Sequence, residues 1–490
     1  MKADAHDGLG VVDLRPARVV QGTTWSAVDR WTQQIGQLLT FLIVGNIVGA
    51  EVFGQMGMAL VFALFVHAFL VDGFAESIIQ RLTIDREHLE AAFWTLAALG
   101  LFAAAAAFLA APLVAALFEQ TVLIDVIHWI SLTFVVVGIS SLLESYLRRT
   151  LSFRALALRS ALAYGVAAPV TIALAAAGYG IWSLVANQLI LRSVEIAVLL
   201  ALCGWLPRPT VSASHIRDLL SFGTHSIGFR AVSYFSMQID RLLIGAVLGA
   251  VDLGHYAMAR RIVDGGVYTL TGFMNTVALS AFSPLQGHDD KLAAALIAAT
   301  RLASIIVFPA LIGLAIVAPL VVGLLLTPEW DPAALIIQIL AFHGLFLSMV
   351  MFLISVVRAK GQSGTTLIIT MVGAALNVAA CVGAVSFGIE SVAIATVVVD
   401  LIVFPIWFHR AARLIPLTVG AYVGSFVPAA VSTVCMTGSV LLAEYLLQSV
   451  ATTGVRLAAA IATGVIVYGL VVSIVARPAL VEIARLMRKR

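Results

Sequence analysis

Residues 24–59, TWSAVDRWTQQIGQLLTFLIVGNIVGAEVFGQMGMA, and residues 224–259, THSIGFRAVSYFSMQIDRLLIGAVLGAVDLGHYAMA, read as two copies of one text at an offset of 200. The identities are Thr24/Thr224, Ser26/Ser226, Arg30/Arg230, Leu42/Leu242, Gly45/Gly245, Gly49/Gly249, Ala50/Ala250, Gly54/Gly254, Met58/Met258 and Ala59/Ala259. One of them is an arginine inside an otherwise apolar stretch. Repeats of this kind build many membrane transporters, with the substrate site between the copies.

Composition sets the solvent. Of 490 residues, 61% are hydrophobic and 11% charged, and the mean hydropathy is +1.05. A bilayer-crossing helix needs about 20 mostly apolar residues, and such segments follow one another almost end to end. Apolar runs between polar breaks predict fourteen helices, near 20–46, 53–78, 89–117, 121–145, 154–177, 179–203, 218–247, 252–282, 291–325, 332–357, 364–386, 388–409, 416–446 and 453–477. The short alternating segments of a β-barrel are absent. Pro169, Pro309, Pro319 and Pro405 fall inside spans, where membrane helices tolerate proline beside a cavity. No secretory signal is expected, because Asp4, Asp7, Asp13, Arg15 and Arg18 occupy the first twenty residues and the first span itself serves for insertion. Cys203, Cys381 and Cys435 are dispersed among apolar spans and are expected to pack there, with no disulfide.

Charge fixes an orientation. With the N-terminus inside, the inner segments hold twenty of the 29 basic residues and the outer loops only Arg456. Outer loops instead carry Glu51, Glu119, Asp252, Glu329, Asp331 and Glu390. Such a bias predicts two cytoplasmic termini and an even number of spans. An offset of six helices is also even, so both copies cross in the same sense about an axis along the membrane normal. A weaker echo, Gly180-Ile-Trp-Ser183 and Gly388-Ile-Glu-Ser391, supports the register. The expected fold is therefore an all-α polytopic membrane protein of about 14 transmembrane helices. Its parts are an N-terminal tail (1–19), an N-lobe (20–205), a linker (206–217) and a C-lobe (218–412). An accessory helix pair (413–477) and a basic tail (478–490) complete it.

Eight basic residues remain inside spans: Arg30, Arg159, Arg192, Arg230, Arg241, Arg260, Arg261 and Arg301. An arginine at mid-membrane costs about 2.5–3.5 kcal/mol on insertion scales and persists where it meets water or a partner. Arg230 lies about 18 Å into its helix at 1.5 Å per residue, and Arg30 sits at the same register in the other copy. The two are expected to face one anionic group from opposite walls; the alternative is a pair inside one lobe, such as Arg30 with Asp29. Arg260 and Arg261 point about 100° apart, so one lines a cavity while Asp264 neutralises the other. Asp240-Arg241 reads as a local pair, Arg192 and Glu195 as an i,i+3 pair, and Arg159 and Arg301 as snorkelling groups. Guanidinium suits a phosphate or diphosphate because it stays charged and donates two parallel hydrogen bonds. Asp72, Glu76, Asp264 and Asp400 are candidates for ion or proton coupling, with a structural role as the default. Ten histidines show no metal-ligand spacing and the four lysines exclude a phosphate-binding Gly-rich loop, so neither metal nor cofactor is expected.

Three patches carry a family resemblance: Asp72-Gly-Phe-Ala-Glu-Ser-Ile-Ile-Gln-Arg81, Asp240-Arg-Leu-Leu-Ile-Gly-Ala-Val-Leu-Gly-Ala250 with Leu253-Gly-His-Tyr256, and Gly180-Ile-Trp-Ser-Leu-Val185. Together with the fourteen-helix plan they resemble the polysaccharide transporter family, the Wzx-type flippases. The resemblance implies the multidrug/oligosaccharidyl-lipid/polysaccharide exporter fold. It also implies a flippase that moves undecaprenyl-diphosphate-linked oligosaccharide to the outer leaflet through a cationic cavity, which suits Arg30, Arg230, Arg260 and Arg261. Polysaccharide polymerase and chain-length regulator proteins are the implied protein partners; no nucleic acid is involved. Lipid II flippases share the helix count and remain the alternative, ahead of a multidrug exporter, which usually has twelve. A glycan polymerase or ligase would need a sizeable outer loop, and every predicted outer loop is about ten residues or shorter. Transport, without an enzymatic step, is the favoured reading, by alternating access between the lobes.

Overall fold

Apolar runs of this length leave their backbone no water to bond with, so each must close its hydrogen bonds within a helix. The computed structural model describes residues 16–80, 86–203, 238–449 and 451–475. No strand occurs among them. The helices are α1 (Pro16–Gln80), α2 (Arg86–Leu117), α3 (Val122–Arg149), α4 (Phe153–Ala176), α5 (Ile181–Cys203) and α6 (238–247). They continue with α7 (Ala250–Phe282), α8 (Asp289–Leu325), α9 (Asp331–Ala359), α10 (Ser363–Ala384), α11 (Ile389–Ala412), α12 (Val419–Leu447) and α13 (Thr453–Val475). Among the described residues eleven segments are long and apolar enough to cross a membrane. Their outward faces are apolar too: Leu109 is 80% exposed and Leu113 76%, a surface that suits lipid and not water. The chain is a multi-pass membrane protein.

The spans expected at 20–46 and 53–78 form a single chain of helix broken only at Gly49, with φ 84° and ψ 171°. That region of backbone space is essentially reserved for glycine, so one residue replaces the expected loop. Its duplicate Gly249 has φ 94° and separates α6 from α7. The repeated glycines therefore encode one hinge geometry twice.

By mutual contact the chain divides into two compact units, Met1–Gly254 and His255–Arg490. In the first, α4 lies against α1 and α5, and α3 against α1, α2 and α5. Glycines allow the α2–α3 crossing: a Cβ at Gly100 would stand 2.7 Å from the Val135 Cα, and one at Gly138 2.8 Å from the Leu96 carbonyl oxygen. Leu143, Leu147, Leu156 and Leu199 fill the space between α3, α4 and α5. In the second unit α9 lies between α8 and α11, around Phe352, Leu353, Val356 and Trp407. The pair α12–α13 lies on α8 through Leu320, Met436, Val440 and Ala460. Cys381 is buried, its thiol 3.8 Å from the Asn377 side-chain oxygen. Cys435, expected in packing, instead stands on an exposed face of α12.

Candidate functional site

The first repeat half builds a polar stripe. Ser26, Arg30, Gln34 and Gln37 recur at helical spacing along α1 and are all at least partly exposed, so they share one face. Arg30 has no hydrogen-bond or ion-pair partner among the described residues. A permanent cation held in an apolar span without a partner belongs beside water or an anionic ligand.

Asp29, one residue earlier, turns about 100° away into the protein and does not neutralise Arg30. The Ser160 hydroxyl donates to its Oδ1 at 2.5 Å, and the Gln33 amide at 3.0 Å. Arg159 completes the site: its Nη2 lies 3.8 Å from Asp29 and donates to the Ser160 Oγ at 3.1 Å, while its Nη1 pairs with Glu144. Arg159 is 3% exposed, which corrects the snorkelling expectation. Its helix, α4, is flanked by α1 and α5, and carboxylates of α1 and α3 meet the guanidinium before it can reach an interface. Arg192 pairs with Glu195 at 2.7 Å, as its spacing predicted.

At the far end of the repeat the duplicated glycines meet each other. A Cβ on Gly54 would collide with the Ala250 carbonyl oxygen, and one on Gly254 with that of Ala50. The contact is reciprocal: each copy presents its glycine to the other copy's alanine backbone. Gly245 sits against Phe118 and Met58 nearby.

Arg230 lies outside the described residues, as do the linker 206–217, the basic tail 478–490 and residues 1–15 of the N-terminal tail, whose last four residues begin α1. Asp72 and Glu76 fall in α1, but their side chains lie outside the described residues. Arg260 Nε bonds Asp264 Oδ2 at 3.1 Å along α7, and Arg261 is half-buried with contacts of its own. Arg241 bonds the Gln238 side chain at 2.8 Å, and its backbone N–H donates to Asp240. Asp400, on α11, meets His343 Nδ1 of α9 at 2.5 Å. No signal in the spacing could pair residues 57 positions apart, and the Asp29–Ser160 contact spans 131. No cluster able to hold a metal ion occurs among the described residues.

Known proteins share this architecture. The chain is 23% identical over 352 residues to the teichuronic acid biosynthesis protein TuaB of Bacillus subtilis (strain 168), covering 71% of this chain and 72% of that one. It is 25% identical to the lipopolysaccharide biosynthesis protein WzxC of Escherichia coli (strain K12), covering 70% of each. It is 23% identical to the succinoglycan biosynthesis transport protein ExoT of Rhizobium meliloti (strain 1021), covering 76% and 74%. Among solved structures, the lipid II flippase MurJ in its inward closed conformation superposes with a TM-score of 0.77 at 13% identity, over 94% of this chain and all of that one. An inward-facing multidrug MATE transporter of the MOP superfamily gives 0.63 at 17% identity, over 79% and 98%. Those likenesses establish the fold. The profile of one family matches residues 43–335, and by that match the chain belongs to the polysaccharide biosynthesis protein family.

Proposed function

We propose that the chain is a flippase that carries undecaprenyl-diphosphate-linked oligosaccharide from the inner to the outer leaflet of the bacterial inner membrane. The observation that carries this reading is Arg30: a guanidinium with no partner among the described residues, on a polar helix face and duplicated at Arg230, in a chain of a polysaccharide biosynthesis family. Diphosphate is the anion that two guanidinium groups clamp best, through paired charge-assisted hydrogen bonds. Gln34 and Gln37 extend the face with neutral donors and acceptors for hydroxyls, while the prenyl tail stays in lipid.

Both termini are cytoplasmic in this reading, with an N-lobe (20–205), a C-lobe (218–412) and the accessory pair (413–477). Arg260, which bonds Asp264, and Arg261 are further headgroup candidates in this reading, and Asp72, Glu76, Asp264 and Asp400 are the carboxylates considered for coupling. With cytoplasmic termini, the crossing of residues 50–54 with 250–254 falls at the end away from the cytoplasm. It closes the path there, and release requires it to part. Polymerase and chain-length regulator proteins receive the delivered unit.

The test is restoration of polysaccharide export in a bacterium that lacks its own lipid-linked oligosaccharide flippase. The wild-type chain is expected to restore surface polymer, and Arg30→Ala to lose it at unchanged membrane abundance. Full export by Arg30→Ala would remove the headgroup role of this residue.

A further inference from the structure

His343 of α9 and Asp400 of α11 form a side-chain pair between two membrane-spanning helices. His343 lies twelve residues into α9 and Asp400 eleven into α11, about 18 and 16 Å from the helix starts at 1.5 Å per residue. Both therefore fall near the middle of a hydrocarbon layer about 30 Å thick. The His343 Nδ1 and the Asp400 Oδ2 are 2.5 Å apart, with side chains 10% and 24% exposed. Asp400 has no other partner among the described residues.

We propose that His343 and Asp400 are a proton-carrying pair that couples transport to the proton gradient; the inference rests on the flippase reading above. With the proton aboard, imidazolium and carboxylate cancel. Without it, one net negative charge stands at mid-membrane. The two states differ by a full charge where charge is costly, so conformations that hydrate Asp400 differently must bind the proton differently.

The titratable side chains on the elements packed around the pair include Arg260, Arg261 and Asp264 on α7, Arg301 on α8, Cys381 on α10 and Tyr422 on α12; Asp252, His255, Asp289, Asp290, Lys291, Glu390, His409 and Arg410 stand nearer the helix ends. Arg260 is committed to Asp264 and Cys381 to Asn377. None of these groups pairs with His343 or Asp400 among the described residues.

The surroundings also supply a transmission. One turn toward the helix C-termini, Phe346 and Phe404 meet edge to face at 6.1 Å. Pro405 removes the amide that would bond the Leu401 carbonyl, which loosens α11 directly after Asp400. Gly344, beside His343, lies so close to α7 and α8 that a Cβ would stand 2.7 Å from Val267 Cγ2 and 2.9 Å from Leu311 Cδ1. A shift of His343 therefore moves α7, the helix that carries Arg260 and Arg261. In each cycle one proton enters from the outer side, resides between Nδ1 and Oδ2, and leaves to the cytoplasm. The membrane potential adds about 2.3 kcal/mol per 100 mV for that charge.

Two measurements on the full-length chain test this. In liposomes holding the pH dye pyranine, an acid jump should load about one proton fewer per chain into His343→Gln/Asp400→Asn than into wild type. In the export-deficient bacterium, either single variant should lower surface polymer at least tenfold at wild-type abundance. Equal proton uptake by wild type and double variant overturns the pair, as does export by both single variants within twofold of wild type. Failure of the wild type to restore export overturns the flippase reading instead, and the liposome measurement still decides the pair.

Discussion

Asp29 and Arg30 are adjacent and have opposite fates. Asp29 is 6% exposed and held by Ser160, Gln33 and Arg159, while Arg30 is exposed and has no partner among the described residues. Helical geometry separates them: adjacent positions point about 100° apart, so a pair that looks self-neutralising on paper faces two environments. Arg30→Lys tests what the guanidinium does, because it keeps the charge and loses the bidentate fork. Export by Arg30→Lys is expected to fall between wild type and Arg30→Ala, read as surface polymer per unit of protein. Arg159 belongs to stability instead. Replacing it with Met strands Glu144 and Asp29 without their cation, which costs about 3–5 kcal/mol for a buried pair broken from one side. A lowered unfolding temperature in detergent checks this, and Glu144→Gln/Arg159→Met should recover part of the loss. Arg30 stood out in the sequence by its charge in an apolar run. The Asp29–Ser160–Arg159–Glu144 network was not, because its members are distant in sequence and meet only when α4 packs against its neighbours.

At the scale of elements, the duplicated glycines do two different jobs. Gly49 and Gly249 turn the chain at positive φ; Gly54 and Gly254 let two helices touch backbone to backbone. Gly49→Ala should cost about 1–3 kcal/mol for the strained backbone conformation, measured as thermal stability. Gly54→Val and Gly254→Val each force a side chain into a carbonyl oxygen, and overpacking of this kind costs about 1–3 kcal/mol. Under the flippase account they weaken closure at that end, so reagents should label a cysteine at Ala50 faster in Gly254→Val than in the glycine parent. An unchanged labelling rate would show that the crossing does not close the path. Spacing alone located these glycines as repeated small residues; that one copy meets the other is a tertiary fact without a local signal. The same holds for His343 and Asp400, where only Asp400 stood out as a carboxylate in a span.

Across the whole molecule, the properties set by solvent were the most readable. Hydropathy identified a polytopic helical membrane protein, and eleven of its described segments are long and apolar enough to cross a bilayer. The offset-200 repeat pointed to a duplicated transporter architecture, and the superposition on MurJ covers 94% of the chain. Cargo was less readable, since sugar contacts are scattered polar side chains with no spacing code and the proposed headgroup site rests on two arginines 200 positions apart. The central claim is that Arg30 and Arg230 together grip the diphosphate of a lipid-linked oligosaccharide. It is tested most directly by the leaflet distribution of that lipid, measured by enzymatic accessibility in right-side-out and everted membranes of the complemented bacterium. The account predicts outer-leaflet cargo with the wild-type chain and at least tenfold retention on the cytoplasmic leaflet with a stably expressed Arg30→Ala/Arg230→Ala double variant. A wild-type distribution in that double variant would contradict it.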